Sequence, residues 1–350
     1  MSTSKSTVFV SGASGFIAQH IISLLLEQNY KVIGSVRSNE KAEHVLSNFN
    51  HNPNLTLEIV KDLASLTAFD EVFKKHGDEI KIVLHAASPV VFQVDNFEKD
   101  ILIPAVNGVK SMLNAILKYA PQTVERLIYT SSIVAQFNPC GENEKGMKLD
   151  ETTWNDATWE NCQTNAINAY SASKTFAEKA AWEFMKKHGN EVKFKLTTIL
   201  PSYVLGPQLK IDLSNGKLNL SSELINSIVH AREESQLPTL SSRLGYFIDV
   251  RDVAKAELLA FQKDECIGKR LSLTSGTFSI QRILNVIHKD FPELNGKVPV
   301  GAPDLVEESA DDIFDFSNEE TKKALGFEFI DFKTSVDDST RQILDAERKN

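Results

Sequence analysis

The segment Val8-Phe-Val-Ser-Gly12-Ala-Ser-Gly15-Phe-Ile-Ala18 closes one apolar run and opens another of different period. Residues 7–11 are short, β-rich and apolar on both faces, which predicts a strand buried in a parallel sheet. Residues 16–28 carry Ile17, Ile21, Ile22, Leu24 and Leu25 at helical spacing. Gly12 permits a tight turn between them, and Gly15 removes a side chain where a pyrophosphate must approach the backbone. The amides of Ser14, Gly15, Phe16 and Ile17, at the helix start, would hold the phosphate charge. The spacing is GxxGxxA, with Ala18 where a third glycine would allow close helix–strand packing. A ligand-free turn could use the same two glycines. Their place at the first strand–helix junction favours the phosphate loop.

Outward from this junction the alternation continues. Further strands are predicted at 31–36, 55–60, 81–85, 126–130 and 195–200, and helices at 66–76, 98–119 and 168–188, with Pro104 as a kink or boundary. Strand–helix alternation with short links predicts an α/β fold, a Rossmann-type doubly wound parallel sheet. After about residue 205 the alternation decays. Segments 206–222 and 235–245 read as loops, 223–234 as a helix, 245–250 as a strand, 253–262 as a helix and 334–348 as a last helix. The expected division is a dinucleotide-binding domain over 1–205, with contributions from about 246–262, and a smaller interleaved substrate lobe over 206–350.

Bulk composition narrows the function. With 38 Lys and Arg against 47 Asp and Glu the net charge is −9, which disfavours a general nucleic-acid binder. No apolar run is expected to reach the ~20 residues that span a bilayer, and the polar leader MSTSKST lacks a signal-peptide pattern. Cys140, Cys162 and Cys266 have no paired spacing, which fits a reducing compartment. The expectation is a cytoplasmic protein without membrane or nucleic-acid partners, monomeric or homodimeric. The histidines show no HExxH or paired spacing, so no metal site is predicted. Cys162 is either an oxidation-sensitive surface thiol or an inert one.

The second strand ends Val36-Arg37-Ser38, without the acid that would bind a ribose 2′-OH. Arg37 and Lys41 offer cations for a 2′-phosphate, so the cofactor expected is NADPH/NADP+. Asp62 and Leu63, after the third strand, could lie beside the adenine, and Ala86-Ala87-Ser88, after the fourth, beside the nicotinamide ribose. Tyr170 and Lys174 stand four apart on one helical face. A nearby ammonium favours the phenolate, which would bring the Tyr170 proton within reach of neutral pH. Thr130-Ser131-Ser132, ending a strand, supplies hydroxyls for a carbonyl oxygen.

Taken in order, the GxxGxxA loop, His85-Ala-Ala-Ser88, Asn107-Gly108, Thr130-Ser-Ser132, Tyr170xxxLys174, Pro201-Ser-Tyr-Val-Leu-Gly-Pro207 and Phe247-Ile-Asp-Val-Arg-Asp-Val253 resemble the extended short-chain dehydrogenase/reductase family over roughly 260 residues. Ile17-Ala-Gln-His-Ile21, Lys31-Val-Ile-Gly34, Ile103-Pro-Ala-Val-Asn-Gly108 and Ala177-Glu-Lys-Ala-Ala-Trp182 resemble more narrowly the fungal NADPH-dependent methylglyoxal and isovaleraldehyde reductases, which are similar to dihydroflavonol reductases. The resemblance implies a catalytic triad of Ser132, Tyr170 and Lys174, with Ser132 rather than Ser131 as the serine. It also implies that Lys174 binds the cofactor ribose, and that Pro201 and Val204 lie near the nicotinamide.

The residues these motifs bring near the reacting carbonyl are largely apolar: Val90, Phe92, Ile133, Phe137 and Tyr203. An apolar wall holds an alkyl or aryl group and cannot hydrogen-bond a sugar nucleotide. The activity expected is reduction of small aldehydes, ketones and α-dicarbonyls. One rival is a sugar-nucleotide epimerase holding NAD, disfavoured by the missing acid at 33–38 and the absence of acids beside Ser132. The other is a regulatory NADP(H) sensor, which has no need of the triad.

Overall fold

The computed structural model describes residues 5–88, 94–139, 147–211, 218, 220–238, 245–303 and 314–348. Strand β1 (Lys5–Ser11) leads through the glycine turn into helix α1 (Phe16–Glu27). β2 (Tyr30–Val36), α2 (Asn39–Asn48), β3 (Leu55–Ile59), α3 (Asp70–His76) and β4 (Ile80–His85) follow. A π-helical turn at Glu98–Leu102 enters α4 (Ile103–Tyr119), and Pro104 stands in its first turn, where a missing N–H costs nothing. Next come β5 (Arg126–Thr130), the short β6 (Met147–Leu149), the long α5 (Ala166–His188), β7 (Lys195–Pro201) and β8 (Tyr203–Leu205). Then α6 (Leu220–His230), β9 (Gly245–Asp249), α7 (Val250–Gln262), β10 (Arg270–Leu273), β11 (Gly276–Phe278) and α8 (Ile280–Asp290). The chain finishes with β12 (Phe314–Phe316), α9 (Glu319–Leu325) and α10 (Phe332–Glu347).

Seven strands form a parallel sheet in the order β10-β7-β5-β4-β1-β2-β3. The chain winds outward one way from β1 through β2 to β3 and the other way from β4, so β1 and β4 flank the point where the winding reverses. Both faces are covered, as a parallel sheet requires. One face packs Ile21, Ile22 and Leu25 of α1 and Val253 and Leu258 of α7 against Val8, Val10 and Val32. The other packs Val72, Phe73, Val109, Met112 and Ala177 against Phe9 and Ile33. A second sheet, β11-β9-β8, sits with α6, α8 and α10 over a separate apolar cluster that includes Phe247, Phe278, Ile283 and Val336. Arg251 ties this part together: it pairs with the buried Asp249 and, through Nη1 at 2.6 Å, with Asp338 on α10.

Several elements differ from the sequence expectations. α2 buries only Val45, so its periodicity carries almost no apolar signal; Ser38 caps it by accepting from the Lys41 amide. The helix expected at 66–76 begins at Asp70, because hydrogen-bonded turns at Ser65 and Thr67 occupy the preceding residues. The helix expected at 223–234 spans Leu220–His230 and the one expected at 253–262 begins at Val250. β10 is four residues long and was not anticipated. Glu98–Tyr119 has the length and apolar content to cross a bilayer, but 61% of its most apolar stretch is buried inside the molecule, where it packs as a core helix. Cys162 is 2% exposed, so it is no surface thiol, and burial pushes its pKa up.

Candidate active site

The glycine turn lies at the carboxyl end of β1, between the ends of β2 and β4. Gly12 has φ +70°, and a Cβ there would stand 3.1 Å from Ala87. The Gly15 amide closes the turn onto Gly12 O at 2.8 Å. On the β2 side, Ala13 N donates to Ser35 O at 2.8 Å and Gly12 N to Ser35 Oγ at 3.3 Å. On the β4 side, Ser11 Oγ accepts from Ala87 N at 2.9 Å and bonds His85 Nδ1 at 2.8 Å. α1 begins at Gly15 with no side-chain cap and no acid in its first turn, whereas Ser38, Asn165, Ser279 and Asp331 cap α2, α5, α8 and α10. An uncapped helix start under a glycine cradle fits the pyrophosphate of a dinucleotide. Ser14, Phe16 and Ile17 line this opening half-buried, and Phe16 packs edge-on against His20 at 5.8 Å.

The other cofactor candidates follow neighbouring strands at the same end of the sheet. Arg37 and Lys41, beyond β2, are exposed, and neither forms an ion pair with a described residue. Beyond β3, Asp62 is exposed and accepts from Ala64 N at 2.8 Å, while Leu63 packs into the core. Asn107 Nδ2 donates to Ala64 O at 2.9 Å and so ties this loop to α4. Ala86 and Ser88 are half-buried beyond β4. Pro201 ends β7, paired with Leu273 of β10, and Val204 packs against the core three residues on. Val90 and Phe92 lie outside the described residues.

Ser132, two residues beyond β5, and Tyr170, on α5, stand close enough for the serine hydroxyl to act on the phenol. Ser132 begins a short 3-10 turn, Ile133–Ala135, and also accepts from Val134 N at 3.4 Å. Ser131 points elsewhere: its hydroxyl donates to Glu178 at 2.6 Å, which leaves Ser132 facing Tyr170. Burial pushes the Tyr170 hydroxyl above its ordinary range and the Ser132 hydroxyl pulls it back. This reverses the expected direction, because loss of water around the ring outweighs a charge one turn away. Burial lowers Lys174 to about 8, and Glu178, a turn further along α5, opposes that shift. His85 is buried and lowered to about 3 by burial and by Lys174, so it is neutral and structural.

Sequence reasoning missed the groups that support the triad. Glu178 is fully buried and receives Ser131, Thr198 (2.8 Å), Trp182 (3.3 Å) and Arg270 (2.7 Å). Arg270 in turn lies over the Trp154 ring at 3.7 Å. The available signal was spacing: Tyr170, Lys174 and Glu178 share one helical face that is otherwise buried. Of the expected pocket wall, Ile133 is 5% exposed and packs against Leu149 and Tyr246, which leaves it little surface for a ligand. Phe137 and Tyr203 are half-buried, and the Tyr203 ring lies 5.1 Å from Phe278. Among the described residues, no group of three or more His, Cys, Asp and Glu side chains could hold a metal.

A reversed-winding parallel sheet with a glycine cradle and a Ser–Tyr–Lys cluster at its carboxyl edge defines an extended short-chain dehydrogenase/reductase. The chain belongs to the NAD dependent epimerase/dehydratase family, whose model matches residues 8–272. It is 50% identical over 338 residues to the NADPH-dependent methylglyoxal reductase GRE2 of Saccharomyces cerevisiae, covering 97% of this chain and 98% of that protein. Ketoreductase azaE of Aspergillus niger is 32% identical over 340 residues, 97% of each chain. The crystal structure of yeast methylglyoxal/isovaleraldehyde reductase Gre2 complexed with NADPH superposes with a TM-score of 0.92 at 49% identity, covering 98% of this chain and 100% of the other.

Proposed function

We propose that this chain reduces aldehydes, ketones and α-dicarbonyls to alcohols with NADPH, using Ser132, Tyr170 and Lys174. The observation that carries the reading is the approach of Ser132 to Tyr170 beside the buried Lys174, in a chain half identical to an NADPH-dependent methylglyoxal reductase. NADPH supplies the hydride when bound. The hydroxyls of Ser132 and Tyr170 bind the substrate carbonyl oxygen and stabilise the charge that grows on it. Tyr170 then gives its proton to the alkoxide oxygen. Lys174, cationic below about 8, favours the resulting phenolate and binds the cofactor ribose.

Glycine cradle amides and the uncapped start of α1 hold the pyrophosphate, and Arg37 and Lys41 hold the 2′-phosphate. Phe137 and Tyr203 offer an apolar surface to the substrate, which favours alkyl and aryl carbonyls over sugar nucleotides. The reaction belongs in the cytoplasm, with small carbonyl compounds as partners and a monomer or homodimer as the working unit.

Initial rates over a panel of aldehydes, diketones, ketones and nucleotide sugars, with NADPH and with NADH, test the reading. Turnover of simple carbonyls with NADPH is expected; turnover of nucleotide sugars alone would overturn it. Arg37→Ala should raise the KM for NADPH far more than that for NADH, since only NADPH carries the 2′-phosphate. An equal change for both would remove Arg37 from that role.

A further inference from the structure

Asn155 belongs to none of the motifs, lies between β6 and α5, and is 1% exposed. Every one of its polar atoms is used. Its amide N donates to Ala135 O at 2.8 Å, and its Nδ2 donates to Val134 O at 2.9 Å and Phe137 O at 3.0 Å. Its Oδ1 accepts from Ala157 N at 2.8 Å, and its carbonyl receives Lys179 Nζ from α5 at 3.4 Å. Three bonds, to the carbonyls of Val134, Ala135 and Phe137, thus grip the segment that follows Ser132 from outside it. That segment's own bonds, Ala135 N to Ser132 O (3.0 Å) and Gln136 N to Ile133 O (2.9 Å), fix its shape but not its place. Gln136 adds one anchor to Asp150 O and one from Ser272 Oγ at 3.0 Å, on the far side.

We propose that Asn155 is a positioning residue that sets where the stretch from Val134 to Phe137 stands relative to Ser132 and the helix bearing Tyr170, and thereby the size of carbonyl substrate accepted. The inference rests on the carbonyl-reductase reading above. Two donors and one acceptor on a short planar group are needed at once, and only an asparagine amide offers them at this length. A buried carbonyl that loses its donor must move or find another, so the wall moves with it. Lys179 carries the same clamp back to α5, so the pocket wall and the proton donor share one frame.

The test compares the intact wild type with Asn155→Asp, which keeps the shape and the acceptor but loses both donors, and Asn155→Ala. Three quantities are read: amide hydrogen exchange over 133–137, NADPH affinity by fluorescence titration, and kcat/KM for a small α-dicarbonyl and a bulky aryl ketone. In both variants exchange over 133–137 should quicken about 10-fold or more while α1 and β1 are unchanged. The ratio of kcat/KM between the two substrates should change by about 10-fold, with NADPH affinity held within about 2-fold. If Asn155→Ala does not fold, the isosteric Asp variant decides. Unchanged exchange over 133–137 overturns the proposal, and so does an equal loss on both substrates in step with lost NADPH affinity. A wild type that reduces neither carbonyl overturns the reductase reading instead, and the exchange measurement still judges the clamp.

Discussion

Tyr170 carries two opposing influences that decide its chemistry. Burial holds its proton on and the Ser132 hydroxyl loosens it. A neutral phenol at rest is what an acid catalyst needs, because it must still own the proton when the alkoxide forms. Tyr170→Phe keeps the ring and the packing and deletes only that proton. It should bind NADPH as the wild type does and lose at least ~10²-fold in kcat, the scale of general acid catalysis. Near-native kcat in that variant would move the proton transfer to another group. The candidate triad could be named from the sequence because each residue lies in a short motif whose parts are neighbours along the chain. Glu178, Arg270 and Asn155 were not, because what they do depends on partners such as Ser131, Thr198 and Phe137, which only folding brings near.

Among the elements, the core strands were legible because strands buried on both faces are runs of apolar residues. The edge pieces were less so: α2 buries a single side chain, and β10 takes its place from β7 rather than from its own four residues. α7 shows how an element can carry a cost that no pattern reveals. Glu257, fully buried on it, accepts from Thr130 Oγ1 at 2.6 Å through one oxygen, while the other has no partner. Burial raises it from 4.5 to about 7, against the Thr130 bond. The folded chain therefore holds a proton that the unfolded chain gives up between those values. The stability this proton confers is complete below about 4.5 and is lost as pH rises through about 7. Glu257→Gln mimics the protonated acid at every pH. Its Tm relative to wild type should climb between pH 5 and pH 8, by an amount worth up to ~3 kcal/mol. A Tm difference flat across that range would mean that Glu257 does not titrate there.

In the molecule as a whole, Arg251, in the first turn of α7, joins the second sheet to α10. Asp249 is fully buried and ends β9; Arg251 pairs with both of its oxygens, and Gly206 leaves room beside it. At the other end Asp338 is 40% exposed. Arg251→Met strands a buried carboxylate and should cost about 3 kcal/mol, the low end for a broken buried pair. Asp338→Asn removes only the solvated end and should cost under ~1 kcal/mol. Denaturant titration of the two variants would expose the asymmetry; equal losses would contradict it.

The strand order also fixes a schedule. β7 ends at Pro201, but its neighbour β10 begins only at Arg270, and α7, which covers α1, falls between them. On a ribosome adding ~5–20 residues per second, the first part of the sheet therefore waits roughly 3–14 s with one edge open and α1 bare. An open edge strand beside exposed apolar surface is the form of a chain most prone to pair with a neighbour. The nascent chain is thus most in need of a chaperone midway through its own synthesis, after Ser132, Tyr170 and Lys174 have been made and before β10 can add to the sheet.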